Sequence, residues 1–175
     1  MDYNYNQDYN YNQDSNQSTH YQANYVPAMP MKWHKFLIYF ALWLSALSAV
    51  GNALMFFNGS HYGSDLNREM VYIVFDNMKS LDSFMGIIFL ALAAFALITR
   101  FALAGYKRTG PKFILILYGA NAAVTLLYPL LASSLTDLPF SDLVDTSTFT
   151  SIIVGVIMIF ANKTYYDNRA HLFVN

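Results

Sequence analysis

Residues 84–133 read FMGIIFLALAAFALITRFALAGYKRTGPKFILILYGANAAVTLLYPLLAS, two apolar stretches joined by the basic turn KRTGPK. Each stretch, Phe84 to Tyr106 and Phe113 to Ser133, has about the 20 residues needed to cross a hydrocarbon core of roughly 30 Å. Backbone amides cannot go unsatisfied in lipid, and no alternating barrel pattern appears, so both are expected to be helices. The turn between them is too short for anything but an antiparallel hairpin. In it Gly110 is expected to break the first of the two helices, and Pro111 suits the first turn of the next.

Working outward, two more stretches are long enough to span: Phe36 to Phe57 (FLIYFALWLSALSAVGNALMFF) and Ser147 to Tyr165. The last is the weakest, because Thr148, Thr150 and Ser151 must be carried in its outer half; a re-entrant segment is the alternative there. The reading is an all-α membrane protein, a four-transmembrane-helix bundle (spans about 36–57, 84–106, 113–133 and 147–165) in a domain covering residues 32–175. Composition agrees: of 175 residues, 55% are hydrophobic and 12% charged, about half the charge of a soluble domain. A net charge of −1 leaves no basic face for nucleic acid.

The Lys and Arg residues orient the chain. Lys32, Lys35, Arg100, Lys107, Arg108, Lys112, Lys163 and Arg169 fall on one side, and only Arg68 and Lys79 on the other. The basic side is expected to be cytoplasmic, with both termini inside and the plasma membrane as the location. The outer loops carry Asp65, Glu69, Asp76, Asp82, Asp137, Asp142 and Asp145, read here as solvated charge. Within the first of them, MVYIVF is too short to span and is expected to form a short helix capping the outer face. The start lacks the order of a cleavable signal peptide, so the first span is expected to serve as the insertion signal.

Residues 1–31 differ from the rest. The hexapeptide DYNYNQ stands twice in tandem, and the first thirty residues hold six Tyr, six Asn and four Gln. Such a segment buries too little apolar area to offset its ordering entropy and is expected to be a disordered, low-complexity cytoplasmic tail.

Three stretches, PMKWHKFLIYFALW, RFALAGYKRTGPKFILILY and NKTYYDNRAHLFVN, resemble uncharacterised four-span membrane proteins of gut-dwelling Gram-positive bacteria, chiefly clostridia. Many of those begin with a small zinc ribbon followed by a Gln/Tyr/Pro-rich linker. This chain has no cysteine, so it matches only the linker, and the resemblance implies neither a metal nor an activity.

Polar residues at membrane depth are the candidate site. Tyr118, Asn121, Thr125 and Tyr128 recur at three- and four-residue steps on one face of the third span, and Pro129 frees a backbone carbonyl one turn earlier. The stripe could line a path for a solute or ion. The preferred reading is interhelical hydrogen bonding, worth ~0.6 to 2 kcal/mol per contact. Arg100 is the one charge inside a span and is expected to snorkel to the cytoplasmic interface. Ala41, Ser45, Ala49 and Ala53, with Ser48 and Asn52 beside them, form a small-residue ladder suited to a helix seam, echoed by Ser151 and Gly155.

His20, His34, His61 and His171 show no metal-ligand spacing, and no cofactor or catalytic constellation is expected. Asn58-Gly59-Ser60 and Asn162-Lys163-Thr164 match the glycosylation sequon without a persuasive location. The expected function is accessory or interaction-based and not enzymatic, with the lipid bilayer and either a second copy or another membrane protein as partners. A small transporter or channel subunit is the alternative. A cysteine at Ser64 should label from outside intact cells and one at Thr109 should not; reversed labelling would invert the topology.

Overall fold

The computed structural model describes residues 30–63 and 68–175. Residues 1–29 of the expected tail, with its repeat, and Ser64 lie outside them. Residues Met31–Asn175 form one compact unit. Its long elements are α1 (Lys32–Asn58), α3 (Met78–Ala104), α4 (Gly110–Thr136) and α6 (Thr146–Asp167), four helices long and apolar enough to cross a membrane. Between them lie α2 (Arg68–Val74) and α5 (Phe140–Leu143). No strand occurs among the described residues.

The fourth span is a continuous helix and not a re-entrant turn, and its start has a local cause. Asp145 is its N-cap: the carboxylate accepts from the Thr148 N–H at 2.8 Å and from the Ser147 hydroxyl at 2.8 Å. Hydrogen bonding to the Thr148 side chain first, and then to its backbone, holds the Asp145 carboxyl below the usual range. In the central hairpin the break falls earlier than the sequence suggested. α3 ends at Ala104, and Gly110 opens α4, with Pro111 in its first turn. Gly110 lies against the preceding helix, where an added Cβ would stand 3.1 Å from the Leu103 nitrogen.

α1 packs along α3, α3 against α4, and α4 against α6, while α1 and α6 share no extensive contact. The seam of α1 toward α3 is Leu42, Ala46, Ala49 and Ala53, all buried. It coincides with the expected ladder only at Ala49 and Ala53; Ser45 turns away from it. Small residues let the backbones approach, while large ones such as Leu47, Leu54, Ile87, Ile116, Ile157 and Phe160 are exposed on the perimeter. An apolar perimeter suits a bundle solvated by lipid. α6 is the least enclosed, with 6% of its apolar window buried.

α1 contains a π-helical segment, Leu37–Ala41. Such a bulge disturbs the normal backbone ladder, and the Ile38 carbonyl accepts from Arg100 Nε–H at 3.3 Å. The Arg100 guanidinium also lies over the rings of Trp43 (5.2 Å) and Phe101 (4.7 Å). Arg100 is therefore held by α1 and the aromatic rings beside it, in place of the free snorkelling expected of it.

The end of the bundle where α1 begins and α6 finishes, labelled inner after the expected topology (and the opposite end outer), is tied by polar contacts between α1 and α6. Trp33 Nε1–H donates to Asn162 Oδ1 at 3.1 Å, and Asn162 Nδ2–H donates to the Met158 carbonyl at 2.8 Å. Asn162 is fully buried, which removes it as a glycan acceptor. His34 Nδ1 sits 3.2 Å from the Tyr166 hydroxyl, and its ring is surrounded by Tyr106, Tyr166 and Phe173. The C-terminal segment closes this layer: Arg108 N–H donates to the Asn175 carbonyl at 3.0 Å, and Asn175 Nδ2–H to the Gly105 carbonyl at 3.1 Å. The three stretches quoted for the resemblance thus meet at one end of the bundle.

Asn162→Ala removes the acceptor for Trp33 and should lower stability by about 1 to 2 kcal/mol. Thermal unfolding of the purified protein in detergent measures it; an unchanged midpoint would show that the inner tie carries no weight.

Candidate functional site

The face of α4 that carries the stripe borders three cavities in succession. The middle one, about 340 Å³, is lined by Tyr118, Asn121, Ala122 and Thr125 of α4, Ser45 of α1, and Ser151, Val154 and Gly155 of α6. Tyr128, Ala132 and Thr136 border an outer cavity of about 470 Å³. Pro111, Lys112 and Leu115 border an inner one of about 250 Å³.

Within the middle cavity Asn121 and Thr125 bond along their own helix and not across to another. Asn121 Nδ2–H donates to the Leu117 carbonyl at 2.8 Å, and the Thr125 hydroxyl to the Asn121 carbonyl at 2.9 Å. Back-bonding of this kind satisfies one donor per side chain. It leaves the Asn121 side-chain oxygen, Oδ1, with no hydrogen-bond partner among the described residues. Asn121 and Thr125 thus bond within α4 and border the side of the bundle where α1 and α6 stand apart, whereas Tyr128, the last member of the stripe, reaches across to His61.

Tyr128 belongs to a different arrangement at the outer end. Its hydroxyl lies 3.1 Å from His61 Nε2, while His61 Nδ1–H donates to the Met55 carbonyl at 3.2 Å. A carbonyl can only accept, so Nδ1 carries the proton in that contact. His61 Nε2 is also 3.4 Å from Asp82 Oδ1. Asp82 Oδ2 accepts from the hydroxyls of Tyr62 and Tyr72, each at 2.8 Å.

Asp82 is 1% exposed, which corrects its reading as solvated loop charge. It stands in the second turn of α3 on the face of Met78, Leu81 and Met85, all buried. That i, i+3, i+4 register was the signal that distinguishes it from Asp76 and Asp137. His61 follows α1, and Tyr72 lies on α2, so the carboxylate binds the outer cap to two spans. Burial, followed by the Asp82 hydrogen bond, pushes the Tyr72 phenol up to about 12 and raises Tyr62 as well. On α2, Val71 and Tyr72 pack inward, whereas Met70, Ile73 and Val74 are exposed. The expected short helix is thus a roof with an apolar outer side.

No group of three or more His, Cys, Asp or Glu among the described residues is placed to hold a metal ion. No protein-family model, curated protein or solved structure matches this chain.

Asp82→Ala leaves two half-buried phenol donors without their acceptor and should cost about 1 to 3 kcal/mol. Loss of the outer tie should also expose α2 to proteolysis in detergent before the spans unfold. A variant with unchanged melting and unchanged protease resistance would remove Asp82 from the account of the cap. Because both phenols are raised above the ordinary value near 10, their contribution to stability is complete below pH 10 and falls as pH rises toward 12.

Proposed function

We propose that this is a non-enzymatic, multi-pass protein of the plasma membrane, with both termini cytoplasmic, that acts by binding another transmembrane helix along the open side between α1 and α6. The observation that carries the reading is the polar lining of that side. Ser45, Asn121, Thr125 and Ser151 border the middle cavity. Ser48 and Asn52, one and two turns from Ser45 on the same face of α1, are exposed. Polar groups facing hydrocarbon are costly, and helix–helix contacts in membranes satisfy them. The partner is a second copy or another membrane protein, with lipid filling the rest of the perimeter. Orientation rests on the eight-to-two distribution of Lys and Arg. Kinship with the four-span membrane proteins of gut Gram-positive bacteria belongs to this proposal and rests on the three motifs alone.

A second reading, a small transporter or channel subunit, is favoured by one observation: three cavities follow one another along a single face of α4. The two readings separate by experiment. The chain has no native cysteine, so a single cysteine at Ser48 should crosslink to another membrane protein in native membranes, and one at Leu47 on the opposite face should not. Equal crosslinking at both positions would sink the interaction reading. Asn121→Leu should change detergent stability by less than about 1 kcal/mol, because its amide bonds only within α4. Reproducible wild-type flux in liposomes that vanishes in this stable variant would establish the transport reading instead.

A further inference from the structure

The inner cavity of about 250 Å³ between α4 and α6 differs in chemistry from the other two. Arg108, Lys112 and Lys163 stand among its lining residues, with Leu115 and Phe173 as apolar walls; Asp167 is its one acidic lining residue. Asp167 is already engaged, since its carboxylate accepts from Lys163 Nζ at 2.7 Å. The Arg108 and Lys112 side chains make no hydrogen bond or ion pair among the described residues. Two cations therefore converge on the cavity without a protein counter-ion.

The position along the bundle restricts what would neutralise them. Arg108 lies in the hairpin, Lys112 in the first turn of α4 and Lys163 in the last turns of α6, so all three stand at the ends of helices long enough to span, the level expected for headgroups. Leu115 is about one turn deeper. A ligand entering here meets positive charge at headgroup level and apolar surface beneath it. The guanidinium fork of Arg108 matches a phosphate bidentately, and lysine ammonium groups complete the neutralisation. Basic pockets between membrane helices recognise lipid headgroups on this basis.

We propose that this pocket binds the phosphate of an anionic glycerophospholipid, with the head of one acyl chain against Leu115 and Phe173. The proposal is independent of the partner-binding reading, because it concerns the C-terminal end of α6 and a different ligand class. A free phosphate shares the headgroup chemistry but has no use for the apolar walls.

The test uses the full-length protein in detergent, with phosphatidylglycerol, phosphatidylcholine or inorganic phosphate added in turn. Bound lipid is counted by native mass spectrometry, and stability is followed by thermal unfolding. Phosphatidylglycerol should be retained and should raise the melting temperature, and phosphatidylcholine and inorganic phosphate should not. Arg108→Gln with Lys112→Gln should lower phosphatidylglycerol retention at least about tenfold and leave melting in phosphatidylcholine unchanged. Lys32→Gln with Lys35→Gln removes the same charge elsewhere at the inner end and should leave retention intact. Equal retention of the two lipids by the wild type would overturn the site. So would equal losses in the two double variants, which would mean diffuse attraction without a pocket. Stabilisation by inorganic phosphate equal to that by phosphatidylglycerol would overturn the lipid in favour of a soluble phosphate ligand.

Discussion

Lipid tails are as apolar as leucine, so burying leucine does not hold membrane helices together. The rest of this structure depends on that constraint. Cohesion comes from close packing of small residues and from polar contacts shielded from water. Here the polar contacts gather at the two ends. At the inner end Trp33 and His34 meet Asn162 and Tyr166, and the C-terminal Asn175 bonds back to the hairpin. At the outer end one carboxylate, Asp82, accepts from two tyrosines and faces His61.

Between those ends the helices are unequally held. α1 and α3 are joined by an alanine seam, and α3 and α4 by a short hairpin in which Gly110 allows backbone approach. α6 leans on α4, with Gly155 placed where an added Cβ would stand 3.6 Å from the Ala122 Cβ. Along most of its length it does not close against α1. The result is a bundle with one open side, and that side carries the hydroxyls and the amide of Ser45, Asn121, Thr125 and Ser151.

Charge is divided along the same axis. The outer end buries a carboxylate within an aromatic cluster, and the inner end presents arginine and lysine around a shallow cavity. Arg100 stands between these regimes. Its bond to the Ile38 carbonyl, at a π-helical segment, joins a helical irregularity in α1 to the one charge within the four spans expected from the sequence. Neither feature has an evident use without the other: a bulged backbone needs a donor, and a guanidinium at that depth needs an acceptor.

Whether a stretch spans a membrane depends on its own length and hydropathy, and its direction on nearby Lys and Arg, so the sequence alone determined four helical spans and the unequal division of basic charge between the two sides. The short helix under MVYIVF and the Pro111 start of α4 were legible for the same local reason. Lateral facts were not, because they depend on which residues distant in sequence meet. Asp82 and His61 are brought together only when the turn after α1 folds over α3, and nothing local separates Asp82 from its solvated neighbours except its register with Met78 and Met85. Asn121 and Thr125 were visible as a stripe, yet whether they reach another helix or bond back to their own was decided by the separation of α1 from α6. The same holds for Arg108 and Lys112: their charge was plain in the sequence, but their convergence on one cavity required α4, α6 and the C-terminal segment to pack together.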